Sequence, residues 1–204
     1  MTHVTKNSGA HLSDIPTLRQ RARQHVEKGA VTPSYTADRE TVLRLLNEAL
    51  ATELVCVLRY RRHYFMADGL QGEAVKAEFM THSQEEQGHA DEIAQRIVQL
   101  DGAPNFNPAG LADRSHAEYV ECATLDEMIL ENLVAERVAI ESYKEMIAYI
   151  GTRDPTTGRL LESILAKEEE HAEELSSMLR KVAPAVAQVP ISARAAELPR
   201  RAAI

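Results

Sequence analysis

Residues 79–97 read FMTHSQEEQGHADEIAQRI. Phe79, His82, Glu86, His89, Ile93 and Ile97 recur in steps of three and four, the spacing of a single helix face. Val75 extends the stripe backwards and Leu100 forwards, so a helix is predicted from about Gly72 to Asp101, with Gly102 as its stop. Glu86 and His89 stand three residues apart, on successive turns of the inward face, where both can reach one ion. A carboxylate and imidazoles among aliphatic neighbours are costly unless something neutralises them.

The pattern occurs twice. Glu53 precedes Glu86-Gln87-Gly88-His89, and Glu136 precedes Glu168-Glu169-Glu170-His171 at nearly the same distance. Each of these positions falls on an apolar helical stripe. The first helix reads Leu46, Leu50, Glu53, Val57, Tyr60, Tyr64; the third reads Ile129, Leu133, Glu136, Ile140, Tyr143, Ile147; the fourth reads Leu161, Ile164, Glu168, His171, Leu175, Met178, Val182. Four ionised glutamates balance two divalent cations, which points to a dinuclear metal centre. A carboxylate and imidazole donor set without thiolate suits iron or manganese. With Glu86 and Glu168 as bridges, each ion also gains one terminal Glu and one His. Coordination then stays open for O₂ or peroxide, with the ions ~3.5–4 Å apart. Glu85, Glu169 and Glu170 lie about 100° per residue off the stripe and are expected to face solvent.

The rest of the chain frames these helices. Residues 1–37 form an N-terminal arm in which Leu18 to Lys28 can be a short helix. The bundle spans 38–182, opening on Asp38 as N-cap, with the first helix ending before Gly69. A connection over 102–123 carries Pro104 and Pro108, with a possible helical turn in SHAEYVE (115–121). Thr124-Leu125-Asp126-Glu127 is a capping box, Gly151 closes the third helix, and Asp154-Pro155 starts the fourth. Short joints make each helix pair an antiparallel hairpin. The connection between the pairs is long enough to run along a helix, which would let the second hairpin start at the same end as the first. Residues 183–204 are an Ala- and Pro-rich tail.

Composition sets bounds. The chain has 204 residues, 44% of them hydrophobic, enough for one substantial core. A net charge of −8 argues against a nucleic-acid-binding body. Cys56 and Cys122 lack the spacing of a zinc knuckle or rubredoxin-type site and read as small core residues. No apolar h-region opens the chain and no run approaches a membrane span, so a cytoplasmic protein is expected.

Through LLNEALATELVCVLRY (45–60), EEQGHADEIAQRIVQLDGAPN (85–105), LVAERVAIESY (133–143) and LAKEEEHAEEL (165–175), the chain resembles the bacterioferritin side of the ferritin-like superfamily over about residues 40–182. The resemblance implies an all-α fold, a ferritin-like antiparallel four-helix bundle with one long crossover between helices two and three. It implies a ferroxidase that oxidises ferrous iron with O₂ or H₂O₂, for iron storage or detoxification. Glu53 and His89 would hold one iron, Glu136 and His171 the other, Glu86 and Glu168 would bridge, and Tyr60 beside them would be catalytic. Closely similar ligands serve manganese catalases and di-iron oxygenases, which remain alternatives.

Departures from the family pattern carry their own expectations. Gln87 stands where bacterioferritins place a haem-ligating methionine, so no haem is expected. Thr81 stands where an inner-surface iron site has its histidine, and His82 is adjacent on another helix direction. The tail does not read as the fifth helix of 24-subunit cages, which favours a homo-oligomeric shell of 12. A Dps-like DNA-protecting particle is the alternative from another class, with Lys181, Arg194, Arg200 and Arg201 as a mildly basic arm.

Overall fold

The computed structural model describes residues 12–69 and 72–182. Among these residues the chain is helical, without strands. The helices are α1 (Ile15–Ala22), α2 (Arg39–Met66), α3 (Gly72–Gln99), α4 (Leu111–Arg114), α5 (Leu125–Ile150) and α6 (Pro155–Val182), with short 3₁₀ turns at Val26–Lys28 and Gly151–Arg153. None is long and apolar enough to cross a membrane. The expectations for the tail beyond residue 182, including its basic residues and the missing fifth helix, fall outside the described residues.

Local chemistry sets the helix ends. Asp38 caps α2: its carboxylate accepts from the Thr41 hydroxyl at 2.6 Å and from the Thr41 amide at 3.4 Å. The capping box of α5 is complete, since Thr124 accepts from Glu127 N while Glu127 accepts from Thr124 N at 3.1 Å. Asp154 caps α6 by accepting from Thr157 N at 3.0 Å. The same carboxylate receives Arg96 Nη2 from α3 at 2.9 Å and the Tyr35 hydroxyl at 2.9 Å. Three separate segments are thereby tied at one end of the bundle.

Two ends differ from expectation. At the close of α3 the left-handed residue is Asp101 (φ 59), not Gly102. The Gly102 amide folds back onto the Ile97 carbonyl at 3.0 Å, a Schellman-type ending. Glycine fits here by proximity instead, because a Cβ at 102 would meet Leu43 Cδ2 and make that side chain shift. In the N-terminal arm, the expected helix over Leu18 to Lys28 is broken at His25 (φ 53), leaving Leu18 and Val26 exposed. Among the described residues no packing partner buries its apolar face, and a helix this short does not persist on propensity alone.

α2 packs along α3 and α5 along α6, giving the two expected hairpins. The connection between them crosses the full bundle on the surface of α2. Asn47 Oδ1 accepts from Asn105 N at 2.7 Å, and Thr52 Oγ1 accepts from His116 N at 2.9 Å. Further along, Arg59 donates to the Glu118 carbonyl at 2.8 Å and His63 Nε2 lies 3.2 Å from the Val120 carbonyl. The one helical turn of this segment is α4, before SHAEYVE. Residues 115–121 are not helical, and α2 side chains take up several of their backbone groups. Having followed α2 from Asn47 to His63, the chain enters α5 where α2 ends, and Asn132 of α5 lies against Arg59 and His63. The second hairpin therefore starts at the opposite end from the first, not at the same end, and α2 and α5 are antiparallel.

The core forms two apolar layers. One contains Val42, Leu46, Leu50, Ile93, Ile97, Ile150, Leu161 and Ile164; the other contains Phe79, Ile129, Leu133, Leu175 and Cys56. Burying one such aliphatic or aromatic side chain contributes roughly 1.5–3 kcal/mol. On every long helix, the glutamate of the motif falls in sequence between a residue of one layer and a residue of the other. Cys56 is a core residue, as read. Cys122 is not in a core helix: it is half-buried in the crossover with a left-handed backbone (φ 38), and both thiols are free.

Candidate metal centre

The four long helices bring all six motif residues to one place between the apolar layers. Glu53, Glu86, Glu136, Glu168 and His171 are each at most 1% exposed. His89 Nδ1 lies 3.5 Å from Glu53, 3.2 Å from Glu86 and 3.0 Å from Glu168. His171 Nδ1 lies 3.4 Å from Glu86, 3.9 Å from Glu136 and 3.8 Å from Glu168. Two donor sets result, Glu53/Glu86/His89/Glu168 and Glu86/Glu136/Glu168/His171. Glu86 and Glu168 belong to both.

These atoms are close without being mutually satisfied. Glu86 Oε1, Glu136 Oε2, Glu168 Oε1 and His171 Nδ1 are buried and make no hydrogen bond. Leaving one buried polar group unpaired costs about 1–3 kcal/mol, more when it is charged, so four in one spot need a missing partner. A pair of divalent cations supplies that partner, and the donor types fit: hard carboxylates and imidazole nitrogens, with no thiolate in either set.

Electrostatics without a cation point the same way. Burial, and then the carboxylates of Glu136 and Glu53, push Glu86 up to about 8. Burial together with Glu168 drives Glu136 well above the ordinary carboxyl range. For His171, burial opposes charge, but the nearby carboxyl groups of Glu168, Glu86 and Glu136 together outweigh it and raise the ring to about 11. His89 is raised in the same way against burial by Glu168, Glu53 and Glu86. Burial opposes the charge of Glu53, but His89, Glu86 and the Tyr143 hydrogen bond together hold it below its ordinary range. Without a cation, the site therefore favours protons on Glu86, Glu136 and both imidazoles.

A set of flanking residues completes the site. The Tyr60 hydroxyl hydrogen-bonds Glu136 Oε1, and the Tyr143 hydroxyl hydrogen-bonds Glu53 Oε1. Burial and the adjacent carboxylates raise both phenols well above their ordinary range, keeping them neutral donors. Sequence reasoning singled out Tyr60 and passed over Tyr143, although Tyr143 follows Glu136 by the same interval as Tyr60 follows Glu53. Glu85, expected to face solvent, is half-buried and accepts from His171 Nε2 at 2.8 Å. It reaches across from α3 to α6, which helical phase alone could not reveal. His82 faces a different direction from its exposed neighbour Thr81: it is fully buried, 3.1 Å from the Tyr60 hydroxyl and 2.9 Å from Glu174. Burial, then the nearby His171, lowers its ring to about 4.

Comparison with known proteins gives the lineage. Residues 43–184 match a family model described as ferritin-like domain. A bacterioferritin of Mycobacterium tuberculosis, BfrA, is 35% identical over 139 residues, covering 68% of this chain and 83% of that protein. The DNA protection during starvation protein of Pyrococcus furiosus is 33% identical over 137 residues, covering 66% and 74%. Among solved structures, a dodecameric thioferritin from Bacteroides fragilis, described as bacterioferritin-related, aligns with a TM-score of 0.70 at 28% identity, over 80% of this chain and 94% of that one. The structure of M. tuberculosis BfrA aligns with a TM-score of 0.63 at 32% identity, over 76% and 91%. With this match across its four long helices, the chain belongs to the ferritin-like family.

Proposed function

We propose that the protein is a ferroxidase, binding two ferrous ions as substrate between Glu53, Glu86, His89, Glu136, Glu168 and His171. The observation that carries this is the pair of four-residue donor sets sharing Glu86 and Glu168, with four buried donor atoms left unbonded. Each ferrous ion gives up one electron. Two electrons and two protons convert O₂ to H₂O₂, or H₂O₂ to two waters. In either case ferric product leaves for storage or detoxification. Manganese in the same donors would give a catalase instead.

The side chains have separable tasks. Glu53 and Glu136 serve as terminal ligands, fixed by Tyr143 and Tyr60. Glu86 and Glu168 bridge, which holds the two one-electron donors at a common distance from one oxidant molecule. Tyr60 acts through Glu136, fixing the angle at which that carboxylate meets its ion. The apolar layers on both sides restrict water, strengthening each charge interaction within.

Likeness to a dodecameric thioferritin supports a homo-oligomer, and a 12-subunit shell is the assembly we favour. A DNA-protecting particle is the second possibility, favoured by likeness to the P. furiosus DNA protection protein. Mass photometry combined with iron per subunit after aerobic loading tests the proposal. Tens of irons per subunit in a 12-subunit particle support a storing ferroxidase. About two irons in a dimer would leave a di-iron enzyme without storage, and a gel shift at moderate salt would favour the DNA-protecting alternative.

A further inference from the structure

The two halves of the centre are related by the sequence repeat, but the repeat is broken on one side. In register with the Glu-x-x-His motifs, His82 corresponds to Ile164, Glu85 to Lys167, and Glu174 to Glu92. The Glu53/His89 half therefore meets a buried isoleucine where the Glu136/His171 half meets a buried imidazole.

That imidazole is held in the same way as its neighbour His171. The His82 and His171 rings stack with centroids 4.0 Å apart and planes at 19°. Each turns Nε2 outward to a rim carboxylate, His82 to Glu174 at 2.9 Å and His171 to Glu85 at 2.8 Å. A carboxylate only accepts, so the proton of a neutral ring sits on Nε2 and the Nδ1 lone pair is left for the interior. Carboxylate–imidazole pairs of this kind fix the tautomer and orientation of metal-binding histidines. The arrangement is thus present twice on this side of the centre. The Tyr60 hydroxyl near His82 Nδ1 has one proton and also bonds Glu136, so it need not occupy the histidine. One donor atom from each of His82, Glu136 and His171 lies within 4.8 Å of the other two. Two of the atoms facing this position, Glu136 Oε2 and His171 Nδ1, are buried without a hydrogen bond.

We infer that His82 is a seventh donor, so that a divalent transition-metal ion in the Glu136/His171 half is held by two imidazoles and its neighbour by one. This rests on the two-ion site proposed above. The Glu136/His171 half consequently fills first, and the two ions are inequivalent in spite of the repeated motif.

Anaerobic titration of metal-free full-length protein with Co(II), followed by calorimetry, tests the order of filling. Pulsed EPR of protein holding less than one Mn(II) per subunit counts the imidazole nitrogens on the first ion. The wild type is expected to bind two Co(II) in two steps, the first at least about ten-fold tighter. Its first Mn(II) should carry two imidazole nitrogens. His82→Gln should lose the tighter step and one nitrogen while retaining the weaker step, which also reports that the variant is folded. Glu92→Gln, at the register equivalent of Glu174, should leave both steps unchanged. Equal steps and a single nitrogen in the wild type would overturn the seventh donor and leave the two-ion centre standing. So would two steps that His82→Gln does not alter. No bound ion at saturating Co(II) would overturn both.

Discussion

Filling the metal-free centre with two divalent ions is expected to release about four protons per subunit at pH 7, because donors bind metal in their deprotonated forms. The count follows from the four groups that hold protons without metal. Glu86 is pushed up to about 8 and His171 to about 11, while Glu136 and His89 are raised well above their ordinary values. Exchange of four protons for two doubly charged ions leaves the net charge of the buried site unchanged, which avoids the cost of an uncompensated charge in a dry interior. The sign is definite: the raised groups retain protons as pH falls, so acid opposes loading. Going from pH 7 to pH 6 should weaken the binding of the pair by about four decades, roughly 5.4 kcal/mol at 1.36 kcal/mol per unit. Above about pH 8 the slope should drop towards three, as Glu86 loses its proton before metal arrives. Calorimetric titration with Co(II) in buffers of different ionisation enthalpy measures the proton count directly. Release of fewer than about two protons per pair of ions would refute the buried, proton-neutralised centre on which this account is built.

Other substitutions probe the supporting residues. Glu85→Ala removes the partner of His171 Nε2 and should weaken the ion of that half by about 10–100-fold in Co(II) titration; an unchanged affinity would return Glu85 to the solvent-facing surface. Tyr143→Phe leaves Glu53 Oε1 without its donor and should cost the metal-free protein about 1–3 kcal/mol in urea unfolding, whereas an unchanged midpoint would mean that this hydrogen bond contributes nothing net. Arg59→Met frees the Glu118 carbonyl and leaves Asn132 Oδ1 with His63 Nδ1 alone. Amide exchange at residues 118–122 should then accelerate at least about ten-fold, with the middle of α2 unaffected; equal protection would show that the crossover is held by other contacts.

How much could be read beforehand depended on whether a residue acts along its own helix or across to another. Glu53, Glu86, His89, Glu136, Glu168 and His171 lie on apolar stripes, and helical periodicity alone places a stripe inward. Tyr143 was equally legible, since it repeats the Glu136 spacing that Tyr60 shows from Glu53. His82 sits on the α3 stripe, yet a single imidazole there is compatible with simple packing until its stack on His171 is seen. Glu85 was misread because its backbone phase faces outward while its side chain is long enough to reach α6. The direction of the second hairpin was also misjudged. Connection length permits a crossover, but the anchors at Asn47, Thr52, Arg59 and His63 decide where it ends, and these pair residues far apart in sequence.

Anomalous diffraction from crystals loaded anaerobically with iron addresses the central claim most directly. The account predicts two iron peaks per subunit, about 3.5–4 Å apart. Both should be bridged by Glu86 and Glu168, with Glu53 and His89 on one ion and Glu136 and His171 on the other. A single peak, or iron bound only elsewhere on the subunit, would contradict it.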